Sequence, residues 1–185
     1  MSDLTSSAVN DTIRSIHQRH SVRSFTARPV SDDDLRIILE AANQAPSAGN
    51  LQAYEVYVVR DSATRRALAQ AAYGQEFLSS APLVLVYCAH PARNAGRYGE
   101  RGRRLYAPQD ATIACTFSML AVTALGLATV WVGAFDDDAV SRAIALPTGV
   151  KPVAMLPIGY AGEEPMPTTR RPLEDLVHGL MTGGG

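Results

Sequence analysis

The chain has 185 residues, 46% of them apolar and 19% charged, with a formal net charge of -1. That length fits one domain, and the apolar share excludes disorder over most of it. Near-zero charge argues against a general nucleic-acid or membrane-surface binder. A single domain is expected over residues 11–180, between a disordered N-terminus (1–10) and a disordered tail (181–185) that ends in three glycines.

The N-terminal stretch has no basic patch followed by an apolar run, so no signal peptide is expected. A short helix follows from about Asp11 to Arg19, with Ile13 and Ile16 turned inward. Ser31 is a good N-cap, and Asp34 stands where a capping-box acid would. Leu35, Ile38, Leu39 and Ala42 then recur at helical spacing, and that helix must stop before Pro46. Glu55 to Arg60 reads as a strand, and Asp61 caps a helix through about Ala72. Leu83 to Ala89 is wholly apolar, which marks a central strand.

Ala111 to Phe135 carries no charge over 25 residues, long enough to span a membrane. Gly126 interrupts it, five hydroxyl residues dilute it, and its second half is rich in strand formers. The better reading is a buried helix from about Pro108 to Leu125, stopped by Gly126, then a strand from Leu127 to Val132. A helix apolar on all sides in so small a domain suggests a subunit interface. Asp136 caps a further helix carrying Val140 and Ile144, ended by Pro147. Val153 to Ile158 is a buried strand that Pro157 would place at an edge or cause to end irregularly. A last helix is expected over Leu173 to Leu180.

Familiar site motifs are missing. No G-x-G-x-x-G follows a strand, and no P-loop, H-E-x-x-H or G-x-S-x-G occurs. The four histidines are scattered without ligand spacing, so no metal site is expected. The two cysteines, Cys88 and Cys115, lie in apolar runs and read as buried thiols of a reducing compartment, the cytoplasm. Lys151 is the single lysine among 17 basic residues, and arginine suits phosphate.

What remains are polar clusters with two readings each. Arg19-His20-Ser21-Val22-Arg23 is either an arginine-capped helix terminus or a phosphate site built from guanidinium forks, a hydroxyl and backbone amides. Arg170-Arg171-Pro172 could share the same dianion. Ala45 to Gln52 is either an ordinary turn or, through Asn50 and Gln52, a partner for the edge of a planar heterocycle. At Val132-Gly133-Ala134-Phe135 a buried strand ends, and the absence of a side chain at Gly133 would let backbone amides reach a flat ring.

The ordered set RHSVRSF, APSAGNLQ, GLATVWVGAFD, PIGYAGEEP and RRPLED resembles the FMN-dependent nitroreductase family, small prokaryotic branch, from about Ile13 to His178. The resemblance implies an α+β fold: a mixed, largely antiparallel sheet with helices on both faces, in an intertwined homodimer with FMN at the interface. It implies that Arg19, His20, Ser21 and Arg170, with Arg171, hold the FMN phosphate. Arg23 would reach the ribityl chain and the pyrimidine side of the ring, while Pro46, Ser47 and Asn50 come from the other subunit. Gln75 would meet the ring's polar edge, and Val132, Gly133 and Ala134 would lie along the ring. Where some members carry a glutamate beside the flavin, this chain has Gly133.

The implied activity is ping-pong hydride transfer from NAD(P)H to nitroaromatics, quinones or similar small acceptors, with no catalytic residue beyond the flavin itself. A related flavoenzyme (a reductive dehalogenase or a flavin-fragmenting enzyme) and a non-catalytic flavin-binding protein stand as alternatives. Residues 91–108, rich in arginine and glycine, read either as a flexible solvated loop or as a lid whose arginines meet the nicotinamide cofactor.

Overall fold

The computed structural model describes residues 11–179, so the expected disordered ends, at 1–10 and 181–185, lie outside the described residues, as does Leu180. Four strands form one sheet in the order β1-β2-β4-β3. They are β1 (Tyr54–Val59), β2 (Leu83–Ala89), β3 (Ala128–Thr129) and β4 (Lys151–Gly159). Every strand pair is antiparallel, and a parallel bridge from Ser21 to Thr129 extends the sheet beyond β3. The sheet is therefore mixed and largely antiparallel.

All seven residues of β2 are buried, which follows from its place between β1 and β4. One face of the sheet packs on α2 (Asp32–Asn43) and α6 (Ala107–Ala124), bringing Ile38, Ala114, Cys115 and Val122 against Leu85, Tyr87 and Leu156. The other face packs on α3 (Ser62–Ala71), α4 (Phe77–Ser80) and α7 (Asp137–Ala143), with Leu68, Leu78 and Val140 against Val84, Val86 and Met155. Helices thus cover both faces.

The caps form where expected. Ser31, Asp61 and Asp136 each accept a hydrogen bond from the amide three residues on, supplying partners that the first turn otherwise lacks.

Several expectations are corrected. Helix α1 (Asp11–Gln18) lies on α6 with no buried residue, and Ile13 and Ile16 are 41% and 46% exposed rather than turned into the core of this chain. Strand β4 is interior, not an edge. Pro157 is accommodated there because β3 stops at the Thr129–Ile158 pair, and the next pairing on that side is Val132 with Met155. By strand alternation, Pro157 turns its missing donor into that unpaired gap. The strand expected over Leu127–Val132 is ladder-paired only at Ala128 and Thr129. Leu173 to Asp175 is a single 3-10 turn rather than the start of a helix. Leu173, Leu176 and Val177 are all more than half exposed, and a short helix without a buried face is not stable alone.

Residues 91–106 are not a loop. Pro91–Arg101 is helix α5, broken at Gly99, and Gly102–Tyr106 is a π-helical turn leading directly into α6. Pro91 at the first helical turn fixes the start. Gly102 is buried where an added Cβ would sit 2.6 Å from the Asn94 carbonyl oxygen. Among the described residues, no helix is long and apolar enough to cross a membrane.

Candidate functional site

The sequence-expected residues fall into two groups at opposite ends of the sheet. The first gathers where β2 begins. The chain leaving α1 runs beside β3: the Val22 amide donates to the Thr129 carbonyl at 3.1 Å, and Ser21 bridges Thr129. Glu163, after β4, accepts from the amides of Arg23 (2.6 Å) and Ser24 (3.1 Å). The Arg19 amide donates to the Ser15 carbonyl. The amides of Arg19, Val22 and Arg23 are thus spent inside the fold. That leaves the side chains, with the amides of His20 and Ser21, as the groups here that could face an anion. Arg19, His20 and Ser21 are half-buried and Arg23 is exposed. Among the described residues, neither Arg19 nor Arg23 takes part in an ion pair, while five ion pairs form elsewhere. The Thr129 hydroxyl is buried nearby and, among the described residues, has no hydrogen-bond partner.

The chain continues from β3 to Val132, buried and bridged to Met155, and then to Gly133 and Ala134, both exposed. A Cβ on Gly133 would sit 2.9 Å from the Trp131 indole nitrogen, so this backbone stays bare. Gln75 reaches it: its Nε2 donates to the carbonyls of Ala134 (3.1 Å) and Ala72 (3.0 Å). The structure therefore brings Gln75 and Ala134 together, downstream of the Ser21–Thr129 bridge.

Arg170 and Arg171 are not brought to this group. Both are exposed; Arg170 bonds to Thr168 and Thr169, and Arg171 to the Asp175 carbonyl. Their segment starts beside Ser24, where Gly162 donates to the Ser24 carbonyl.

The second group lies where β2 ends, since Tyr54 pairs with Ala89. That is about 20 Å along the strands from Leu83 at ~3.3 Å per residue, and at the opposite edge of the sheet. Pro46 and Asn50 are exposed and Ser47 half-buried. Gly49, Asn50 and Gln52 all adopt positive φ, at 58°, 58° and 47°. For Asn50 and Gln52 this left-handed backbone costs about 1–2 kcal/mol each. The loop is held from several sides. The Gln52 amide donates to Ser47 Oγ at 3.0 Å. Arg93 of α5 donates to the carbonyls of Gln52 and Tyr54 and pairs with Glu55. Arg97 donates to the Gly49 carbonyl. Asp110, 2% exposed near the start of α6, accepts from the amides of Ala48 (2.9 Å) and Ala53 (3.2 Å) and from Asn94 Nδ2 (3.1 Å). The Tyr54 phenol is held above its ordinary value, first by burial and further by the Asp110 charge, against the opposing pull of Gln52 and Arg93.

Asp110, Asn94 and Glu163 were not singled out from the sequence, and Arg93, expected among the arginines of a lid, instead holds the loop. The one available signal was Asp110 itself, a lone carboxylate just before an uncharged stretch. Within one chain, Asn50 and Ser47 do not meet Arg19 and Ser21.

A family model described as the nitroreductase family matches residues 16–75 and 69–160. The chain is 35% identical to a Thermus thermophilus protein named NADH dehydrogenase, over 86% of this chain and 91% of that one. It is 30% identical to an NAD(P)H FMN reductase of Bacillus subtilis, over 92% of this chain and 74% of that one. Among solved structures, it matches the NADPH:FMN oxidoreductase of Vibrio harveyi complexed with NAD+ at a TM-score of 0.85 and 28% identity, covering 95% of this chain and 79% of that one.

Proposed function

The chain belongs to the nitroreductase family, and from that premise we propose a single-domain, FMN-dependent oxidoreductase that oxidises NAD(P)H in a ping-pong cycle and works as a homodimer. The observation that carries the reading is the first group of residues. Among the described residues, half-buried Arg19, His20 and Ser21 have no acidic partner, and they are stitched by β3 to a bare Gly133–Ala134 backbone and the Gln75 amide. Cations suited to a phosphate and a side-chain-free shelf suited to a flat ring fit FMN. When bound, FMN supplies the electron chemistry, taking a hydride from NAD(P)H and passing it to a nitroaromatic, quinone or similar small acceptor.

Arg19, His20 and Ser21 would bind the phosphate, joined by Arg170 and Arg171 once these exchange their local bonds for phosphate oxygens. Arg23 would lie toward the ribityl chain and place a cation at the pyrimidine side, where negative charge develops. Gln75, with Nε2 committed to Ala134, keeps Oε1 as an acceptor for the ring's polar edge. Val132, Gly133 and Ala134 would line the ring. Pro46, Ser47 and Asn50 act across the subunit interface, each chain lending its loop to the other's flavin. The distance between the two groups within one chain supports this arrangement.

Support for the dimer comes from α6. Thr112, Thr116, Phe117 and Ala124 are exposed along one stripe of an otherwise buried helix, and with α1 that stripe borders a cavity of about 390 Å³. Helix α5 and the π turn stand over the 47–53 loop, with Arg97 on Tyr98, Arg101 on Tyr106 and the two tyrosine rings edge to face, which supports an ordered lid edge. Two free, buried thiols support residence in a reducing compartment, the cytoplasm.

The test is the visible spectrum of the purified protein, identification of the chromophore released by heat, and oxidation of NADH and NADPH with a nitroaromatic and a quinone. A yellow protein that turns over with either acceptor is expected. A colourless protein that takes up no FMN would overturn the reading, and bound FMN without turnover would leave a flavin carrier. Neutralising Arg101, Arg103 and Arg104 together is expected to raise KM for the nicotinamide donor; an unchanged KM would remove the lid.

A further inference from the structure

We propose that Asp110 is the positioning residue of the flavin-facing loop, and that through Asn94 it makes helix α5 the support on which the loop's left-handed backbone rests. This rests on the reading of Asn50 as a flavin contact. The carboxylate bonds the amides of Ala48 and Ala53, the residues that bracket Gly49, Asn50 and Gln52 with their positive φ. One buried group thus staples both ends of the one run, among the described residues, where two non-glycine residues in close succession are left-handed. Backbone strain of this kind persists only where the surroundings over-determine it.

The chemistry of the staple is specific. Asp110 is 2% exposed and, among the described residues, has no cationic partner. Its charge is met only by three N–H donors, two from the loop and one from α5. Asn94 is fully buried. Its Nδ2 faces Asp110, which obliges Oδ1 to point away, and Oδ1 has no donor. Turning the amide over would set an oxygen against the carboxylate, so the orientation is fixed by Asp110. A π turn, a form common at functional sites, follows directly and lets Gly102 close on the Asn94 carbonyl. The loop, α5 and α6 therefore share one polar node. Loosening the node would release Asn50 while leaving the Arg19 group, at the far end of the sheet, as it was.

The experiment titrates FMN and riboflavin, which lacks the phosphate, into wild-type protein and four variants, with thermal unfolding recorded for each. Asp110→Asn is expected to weaken both flavins by the same factor, about tenfold. Asn94→Leu, which removes a donor and an unmet acceptor together and so should fold, is expected to weaken both by about threefold. Arg19→Ala should weaken FMN alone. Gly126→Ala, a destabilising change remote from the loop, should weaken neither. Wild-type affinities for both flavins in Asp110→Asn, or in Asn94→Leu should Asp110→Asn not fold, would overturn the proposal. A loss confined to FMN would overturn it as well. Wild-type protein that binds neither flavin would instead overturn the functional reading, and this inference with it.

Discussion

Cys88 and Cys115 lie on opposite faces of the sheet, each in its own hydrophobic cluster. Burial pushes the Cys88 thiol up to about 12 and Cys115 well above its ordinary value. An acid whose pKa is raised by folding holds its proton longer in the folded chain than in the unfolded one. The stability linked to these thiols is therefore complete below about pH 9 and falls as pH rises from there toward 12. A chromogenic disulfide reagent at neutral pH should find no thiol in the native protein and two after denaturation; a native count above zero would show that the clusters open. Polar detail in the core is equally testable. The buried Tyr87 hydroxyl donates to Ser118 Oγ at 2.5 Å, and Ser118 donates in turn to the Ile38 carbonyl at 3.1 Å. Tyr87→Phe removes one donor and should cost about 1 kcal/mol, whereas Ser118→Ala strands the phenol and should cost about 1–3 kcal/mol. Urea unfolding of the two variants gives the order directly. How legible each residue was depended on the distance to its partner. Ser31, Asp61 and Asp136 declare themselves because a cap binds three residues away. Asp110 finds Ala53 and Ala48 across 57 and 62 residues of chain, so nothing in its neighbourhood announces the pairing.

Elements with a strong local signal formed as the sequence indicated: β2 from its unbroken apolar run, and α2, α3 and α7 from cap and spacing. Helix α5 did not announce itself. Three glycines depress helix propensity over residues 91–102, and the helix forms because Arg93 and Asn94 are bonded to the neighbouring loop and to α6. The expected helix beyond Leu173 failed for the opposite reason, having no surface in this chain on which to bury its leucines. Glycines at the junctions of α6 separate shape from conformation. At Gly102, an added Cβ would meet the Asn94 backbone and Tyr98, so Gly102→Ala should cost about 1–3 kcal/mol through overpacking and disturb the π turn. Gly126 has φ of 70° and open space around it, so Gly126→Ala should cost only the left-handed penalty, about 1–2 kcal/mol. Equal flavin affinity in wild type and Gly102→Ala would argue that the π turn plays no part in holding the loop.

At the scale of the whole molecule, the proposed dimer turns on the exposed stripe of α6. Phe117, 37% exposed, and half-buried Leu120 flank a cavity shared with α1, and an apolar face of this kind in a monomer would be an aggregation liability. Sedimentation should give a dimer for the wild-type protein. Phe117→Glu with Leu120→Glu should give a monomer that has lost its flavin; a monomeric wild type would remove the dimer from the functional reading. Neither the proposed subunit assembly nor the proposed pairing of Asn50 with Arg19 across it is legible as geometry in one sequence. Both groups were visible as motifs, but the sheet that separates them was not. That separation has a genetic consequence. If every flavin draws its anion clamp from one polypeptide and its ring clamp from the other, two crippled alleles can cure each other. Co-expressed Arg19→Ala and Asn50→Ala chains would form hybrids with one wholly intact centre and one doubly damaged centre. Random pairing then restores about a quarter of the wild-type turnover from two inactive parents.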